Sequence, residues 1–267
     1  MIGRRELPAE YTAFNTEWGA PYGHAAAQQL SIQDRLDADG RAEFGPFAFQ
    51  VNSLTRTFEY PWAFHAAEIR PGMRVIEVGG GLSGFQFVLA RNGCEVFNVD
   101  PATSVNWTFV PGNSWSLSQE NIDLLNVEFD TDVRLVPARL QDAPLQAGSF
   151  DRVFCLSVLE HVDLAEGQGV LKRAEELLAP GGRCVLTIDL FLDLKPFGVL
   201  DSNHWGTNID VRELVAATGL ELVHGDRAEL FGFPEFDRDA LVDRLDEIFI
   251  GNYPAVSQAL VLEKPVA

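Results

Sequence analysis

From Met73 onward, short runs rich in β-branched residues alternate with stretches of helical periodicity. Such alternation is typical of a doubly wound parallel sheet, in which each strand is followed by a helix that covers it. The expected strands are "RVIEV" (residues 74–78), "CEVFNVD" (94–100), "DVRLVPA" (132–138), "FDRVFCLSV" (150–158) and "RCVLTIDLF" (183–191), with two final ones within 220–230 and 255–265. The sequence therefore predicts an α/β, Rossmann-like fold.

The first seventy residues are aromatic and lack this alternation. Helical spacing covers residues 24–39, and a second helix is expected over 52–69 with an interruption at Pro61. Between them, "GPFAFQV" is expected to be a loop or a short strand. We expect residues 1–70 to form an N-terminal helical cap and residues 71–267 to form the main domain.

A glycine-rich turn follows the first expected strand in "VIEVGGGLSGF", where Gly79, Gly81 and Gly84 form a G-x-G-x-x-G pattern. This pattern is usual for dinucleotide sites, although many such turns are only tight loops. Glu77 stands two residues before the first glycine. Its carboxylate would repel a pyrophosphate and would attract an ammonium group or the amides of a nearby loop.

A second carboxylate, Asp100, ends the next expected strand. Its spacing from the glycines suits an acid that accepts hydrogen bonds from ribose hydroxyls. Alternatively, it caps a helix that begins at Pro101. A ligand with an adenosine ribose and a cationic amino-acid end satisfies Asp100 and Glu77 together, and S-adenosylmethionine is such a ligand.

At these residues the chain resembles the class I S-adenosylmethionine-dependent methyltransferases. "VIEVGGGLSGF" is similar to their first motif, and "CEVFNVD", "GSFDRVFCLSVLEHV" and "LLAPGGRCVLTID" follow in the family's order. The resemblance implies a seven-stranded sheet whose last strand is antiparallel. It also implies S-adenosylmethionine as cofactor and S-adenosylhomocysteine as product.

The resemblance assigns the cofactor site residue by residue. It implies that Glu77 orders the glycine turn or the cofactor's amino group, that Gly79, Gly80 and Gly81 face the methionine part, and that Asp100, followed by Pro101, binds the ribose. The carbonyl groups of Leu156 and Ser157 are expected to hold the cofactor's ammonium. Tyr60 lies just before the first strand, a position that would flank the cofactor's methionine end, unless its ring only packs the N-terminal helices on the sheet.

Two positions depart from the family pattern. Ser83 stands where many relatives have the third glycine, so the turn is one residue longer or Ser83 caps the helix. Arg139 stands where relatives carry an acid that reads the adenine amino group, and arginine has no acceptor. Gln141 or Asp142 is then expected to take that role, with the backbone of Leu140 as the other adenine contact, unless both side chains are solvated loop residues.

Two histidines are candidate bases for the methyl acceptor. His161 follows the fourth expected strand, and His204 lies in a long segment over residues 190–209. Long loops at the carboxyl ends of strands are often functional, so this segment is expected to be a lid on which His204 and Trp205 face the acceptor. The alternative for His161 is packing within its loop, and the alternative for His204 is a surface histidine beside a packing Trp205.

Charge and cysteine content indicate the class of methyl acceptor and the state of the thiols. A net charge of -19 without a basic stretch argues against nucleic acid, so a small-molecule acceptor is expected. Cys94, Cys155 and Cys184 lie far apart, which favours buried free thiols over zinc or disulfides.

Without a signal peptide or membrane-spanning run, we expect a cytoplasmic protein. No acidic set suggests a metal, so the reaction is expected to be metal-independent.

Two other functions stay open from the sequence. The glycine pattern also fits an NAD(P)-binding oxidoreductase, although no comparable set of motifs supports one. Arg139 and the altered glycine spacing also fit a methyltransferase-like binding module without turnover.

Overall fold

A computed structural model describes residues 1–101 and 117–266. The chain divides into two compact units. The first unit is Pro8–Ala143, and the second combines Met1–Leu7 with Pro144–Ala267. The expected division into a cap of residues 1–70 and a main domain from residue 71 stays a prediction.

The first unit contains five helices and three parallel strands among its described residues. Neighbouring strands of this unit are parallel to each other. Short 3-10 turns occupy Ala25–Ala27, Arg41–Phe44, Pro46–Phe49 and Leu140–Asp142. In chain order the helices and strands are α1 (Ala9–Trp18), α2 (Ile32–Asp37), α3 (Arg56–Ala66), β1 (Arg74–Val78), α4 (Gly84–Arg91), β2 (Glu95–Val99), α5 (Gln119–Phe129) and β3 (Arg134–Val136).

The second unit contains the other four strands. Its elements are β4 (Phe150–Leu156), α6 (Leu164–Leu177), β5 (Leu178–Phe191), α7 (Val211–Ala216), β6 (Glu221–His224), α8 (Arg238–Val242) and β7 (Ala255–Glu263). Its 3-10 turns are Leu159–His161, Arg227–Glu229 and Leu245–Glu247. Strand β4 runs parallel to β5, whereas β7 is antiparallel to both β5 and β6.

The predicted sheet is confirmed. Seven strands form the order β3-β2-β1-β4-β5-β7-β6, and the last strand in sequence is antiparallel to its neighbours. The side chains of Val75 and Ile76 in β1 are fully buried, as are those of Val185 and Ile188 in β5. Burial on both faces explains why these strands are continuous apolar runs rather than alternating ones.

The N-terminal segment is helical, but its boundaries differ from the sequence-based expectation. The single helix over residues 24–39 was wrong, because Ser31 adopts an extended conformation and starts α2 with a capping box to Asp34. Pro61 lies inside α3 without interrupting it. The segment expected to be a loop or strand forms the turn Pro46–Phe49, all four residues of which are buried.

Candidate functional site

The turn after β1 contains glycines whose backbone conformation disfavours a side chain. Gly79 and Gly81 adopt φ values of +64° and +55°, a conformation that residues other than glycine rarely adopt. A Cβ on Gly81 would lie 2.5 Å from Oε1 of Gln50. The Gly79 amide donates to the Val99 carbonyl of β2 at 2.9 Å. Glycine is therefore required here by the backbone conformation and by a close contact.

Glu77 is buried beneath this turn, with 3% of its surface exposed. Burial raises the pKa of its carboxyl group to about 8, against the opposing effects of a hydrogen bond with Ser83 and the charge of Arg56. Its Oε2 atom makes no hydrogen bond to any described residue. A cationic ligand beside this carboxyl group would favour its ionised form, whereas a phosphate would oppose that form.

Two consecutive amides of the turn are bound by side chains from distant parts of the first unit. Oδ2 of Asp100, at the end of β2, accepts the Gly81 amide hydrogen at 3.1 Å. Oε1 of Gln50 accepts the Leu82 amide hydrogen at 2.9 Å. Amides of this kind bind the pyrophosphate in dinucleotide sites. Because side-chain oxygens already accept them, the turn does not offer these two donors to an anion.

A buried pair of amide side chains holds the turn from below. Nδ2 of Asn98 donates to the Gly81 carbonyl at 2.8 Å and to Oε1 of Gln86 at 2.9 Å. Nε2 of Gln86 in turn donates to the carbonyls of Gly81 and Ser83. Sequence reasoning missed both residues. The available signal was a polar residue inside each of two apolar segments, "VFNV" and "FQFVLA".

The expected helix-cap role of Ser83 is confirmed, since its hydroxyl accepts the Phe85 amide hydrogen at the start of α4. Tyr60, expected to flank the cofactor, lies fully buried beside this start. Its ring stacks on Phe85 with centroids 5.7 Å apart, and its hydroxyl donates to Oδ1 of Asn52 at 2.8 Å. Burial raises the pKa of Tyr60 to about 12. Tyr60 is therefore neutral near pH 7 and is packed inside the first unit.

The residues expected to contact adenine lie in the segment after β3. Leu140 is buried and Gln141 is half-buried, whereas Arg139 and Asp142 are exposed. The four residues form and flank the 3-10 turn Leu140–Asp142. Pro101 is half-buried. The alternative that Asp100 caps a helix beginning there concerns residues 102–116, which lie outside the described part of the chain.

In the second unit, Leu156 is the last residue of β4, and Ser157 follows it. Ser157 adopts a φ of +48°, a left-handed conformation that is uncommon for a residue with a side chain. Its amide donates to the backbone carbonyl of Thr187 at 2.9 Å and lies 3.1 Å from the Thr187 hydroxyl. The strained conformation is thus held by the neighbouring strand β5.

The structure brings His161 to the segment between β5 and α7. Nδ1 of His161 lies 2.5 Å from the Trp205 carbonyl, and its Nε2 lies 3.9 Å from Oε1 of the buried Glu160. His204 is exposed, and its ring lies in a T-shaped arrangement with the ring of Trp205, the two centroids being 5.3 Å apart. Since a backbone carbonyl only accepts, His161 donates from Nδ1, and in its neutral form Nε2 is the acceptor.

Trp205 also connects this segment to a polar pair that sequence reasoning missed. Its ring stacks on Tyr253 with centroids 4.7 Å apart. The Tyr253 hydroxyl donates to Oδ2 of Asp189, a carboxylate with 1% of its surface exposed, at 2.6 Å. The sequence showed Asp189 within an apolar strand, but nothing in it pointed to Tyr253 as its partner.

Within residues 1–101 and 117–266, no three histidine, cysteine, aspartate or glutamate side chains gather in a way that could hold a metal ion. The expectation of a metal-independent reaction stays a prediction. Across the same residues, no helix combines the length and apolar character needed to cross a membrane.

The chain is similar to known methyltransferases in sequence. Residues 76–186 match the family model described as "Methyltransferase domain". A ubiquinone biosynthesis O-methyltransferase of Acinetobacter baylyi is 29% identical over 144 residues, which are 54% of this chain and 53% of that protein. The chain thus spans about half the length of the curated relatives it matches.

Solved structures share the fold at low identity. An S-adenosylmethionine-dependent methyltransferase from Mesorhizobium loti has a TM-score of 0.51 and 15% identity, with 77% of this chain and 97% of that chain covered. The (4+2)-cyclase SpnF has a TM-score of 0.56 and 17% identity, with 93% and 98% covered. One fold therefore carries proteins named for different reactions, and the fold alone does not decide the reaction.

Proposed function

We propose that this chain, which contains a class I S-adenosylmethionine-dependent methyltransferase domain, transfers a methyl group from S-adenosylmethionine to a hydroxyl or amine of a small molecule. The match of residues 76–186 and the seven-stranded sheet give the domain class. The activity and the acceptor are our proposal.

The observation that carries the proposal is the surroundings of Glu77. Its buried carboxyl group has an acceptor atom without a hydrogen bond among the described residues, and the adjacent turn gives the amides of Gly81 and Leu82 to side-chain oxygens. These features fit a ligand with a cationic amino-acid end. They do not suit the pyrophosphate of a nicotinamide cofactor, so they argue against the oxidoreductase alternative.

The residues assigned to the cofactor by resemblance fit this proposal. The second unit contributes the candidates Leu156 and Ser157. The candidates on the first unit are the buried Tyr60 and Glu77, Gly79, Gly80, Gly81, Asp100, Pro101, Leu140 and Gln141. When bound, the cofactor supplies an electrophilic methyl group on a positively charged sulfur. The contribution of the protein is then mainly to orient the reactants and exclude water.

For an acceptor hydroxyl, a base near the attacking oxygen would assist. We propose His161 for this role and keep His204 as the second candidate. The contact between His161 Nδ1 and the Trp205 carbonyl fixes the ring and leaves Nε2 as the acceptor, which is the state a general base needs. His204 is exposed, and its ring contacts that of Trp205.

The acceptor class follows from two observations. The relatives' name, ubiquinone biosynthesis O-methyltransferase, favours O-methylation of a small molecule. The net charge of -19 disfavours a polyanionic acceptor such as nucleic acid. The three free, buried cysteines are compatible with a reducing cytoplasm, and cell fractionation would test that location.

The test is a methyl-transfer assay with methyl-labelled S-adenosylmethionine and a panel of small phenols, alcohols and amines. Formation of S-adenosylhomocysteine above the acceptor-free background, together with a labelled product, is expected for at least one hydroxyl acceptor. Binding of S-adenosylhomocysteine without turnover on any acceptor class would favour the binding-module alternative instead.

A further inference from the structure

We propose that Gln50 is a positioning residue of the glycine turn, so that the segment of residues 44–52 belongs to the cofactor site although it precedes the domain match. This inference rests on the proposed function for its meaning and on the contacts within the first unit for its support. The carbonyl oxygen of its side chain does the positioning.

The first support is the contact itself. Gln50 lies 32 residues before Leu82, and its Oε1 accepts the Leu82 amide hydrogen at 2.9 Å. The same atom would lie 2.5 Å from a Cβ at Gly81. The Gln50 side chain therefore lies directly against the turn, at the residue where the backbone is in the left-handed conformation.

The second support is that the backbone around Gln50 is fixed. A Cβ on Gly84 would lie 2.6 Å from both the Phe47 nitrogen and the Pro46 carbonyl carbon, so the segment and the start of α4 pack backbone to backbone. The ring of Phe47 packs on Tyr60 with centroids 4.7 Å apart. Because these contacts fix the segment, Gln50 presents its oxygen to the turn from a rigid base.

The third support is the continuation of the segment. Asn52 is buried, accepts the Tyr60 hydroxyl hydrogen at 2.8 Å, and donates to the Pro21 carbonyl at 2.7 Å. Its side chain thus connects the segment to α3 and to the chain near Pro21. Gln50 is followed within two residues by a fully hydrogen-bonded anchor, which limits any movement away from the turn.

Two acceptors from different elements therefore bind consecutive amides of the turn. Asp100 binds the Gly81 amide from β2, and Gln50 binds the next amide from the N-terminal segment. Removal of either acceptor would leave a partly buried amide without its partner and let the turn sample other conformations. Removing the Gln50 acceptor should therefore weaken cofactor binding, even though the charged acceptor at the turn is Asp100 and not Gln50.

The test compares Gln50→Met, which keeps the length but removes the acceptor, with Gln50→Glu, which keeps an acceptor oxygen. Gln33→Met on the exposed face of α2 is the matched control. Hydrogen–deuterium exchange of residues 79–85 in the ligand-free protein is measured first. Exchange should be about 3- to 10-fold faster in Gln50→Met, as expected for one lost hydrogen bond, and should be little changed in the other two variants.

Calorimetric titration with S-adenosylhomocysteine is the second measurement. We expect the Kd to rise about 3- to 10-fold in Gln50→Met and to stay near the wild-type value in Gln50→Glu and Gln33→Met. Unchanged exchange at residues 79–85, or a lowered melting temperature of Gln50→Met with an unchanged Kd, would overturn the proposal. If the wild type binds no S-adenosylhomocysteine, the proposed function fails, while the exchange experiment still decides the role of Gln50.

Discussion

The carboxylate of Asp100 accepts the amide hydrogen of Gly81 at 3.1 Å and thereby joins the end of β2 to the turn that follows β1. One side chain therefore has two tasks in our account: it holds the turn and presents its charge to the ribose of the cofactor. The first task is visible in the structure, and the second is the subject of the first prediction.

Replacing Asp100 with alanine should raise the Kd for S-adenosylhomocysteine about 10- to 100-fold, because charge-assisted hydrogen bonds contribute about 1.5–3 kcal/mol. Asp100→Asn should lie between this variant and the wild type, since it keeps an acceptor for the Gly81 amide but loses the charge. Calorimetric titration measures both. Asp123→Ala on the exposed face of α5 is the control, and an Asp100→Ala protein with wild-type affinity would remove Asp100 from the site.

Stability should depend on pH through Glu77. Burial raises the folded-state pKa from 4.5 to about 8, so the folded protein retains a proton that the unfolded chain has lost. The stabilisation from the neutral carboxyl group is fully present below about pH 4.5 and is lost as the pH rises through about 8. Between these values the contribution to the free energy of unfolding falls by about 1.4 kcal/mol per pH unit.

The Glu77→Gln variant removes this titration. Its free energy of unfolding relative to the wild type should therefore increase steadily from pH 5 to pH 8. Urea unfolding of both proteins at four pH values in this range measures the difference. A difference that is flat across the range would mean that Glu77 is already ionised in the folded protein at pH 5.

Gly84 should not tolerate a methyl group. An added Cβ would lie 2.6 Å from the backbone of Pro46 and Phe47, which cannot move aside as a flexible side chain would. We expect Gly84→Ala to lower the free energy of unfolding by about 1–3 kcal/mol, as other overpacked sites do. Gly167→Ala in α6 is the control, because the three nearest atoms to its new methyl group belong to the side chains of Leu214, Ile209 and Val162, at 3.0 to 3.9 Å, and none is backbone.

His161 and His204 should separate in a kinetic test, once an acceptor is known. If His161 is the base, His161→Gln should lower kcat by about 100-fold or more while the Kd for S-adenosylhomocysteine stays unchanged. His204→Gln should leave kcat within a few-fold of the wild type. The reverse pattern would transfer the role to His204 and support the lid predicted for residues 190–209.

The sheet could be predicted from the sequence because its signals are local. Runs such as "RVIEV" and "RCVLTIDLF" are mostly apolar over the length of one strand. The glycines after β1 indicate a tight turn without any knowledge of the residues that pack around it. The hydroxyl of Ser83 at the start of α4 is a local signal of the same kind.

The contacts that complete the site could not be predicted in this way. Gln50 and Leu82 are 32 residues apart, and nothing in "FAFQVN" indicates which amide its side chain will bind. The Tyr253–Asp189 hydrogen bond joins residues 64 positions apart. Such pairs are decided by the packing of whole elements, whereas periodicity and turn chemistry describe one element at a time.

A pair of calorimetric titrations of the unmodified protein, one with S-adenosylhomocysteine and one with NADH, distinguishes a methyltransferase cofactor site from a dinucleotide site. Our account predicts saturable, one-to-one binding of S-adenosylhomocysteine and no detectable heat from NADH, because Glu77 lies beneath the turn and the Gly81 and Leu82 amides are already bound. Saturable NADH binding without S-adenosylhomocysteine binding would contradict it.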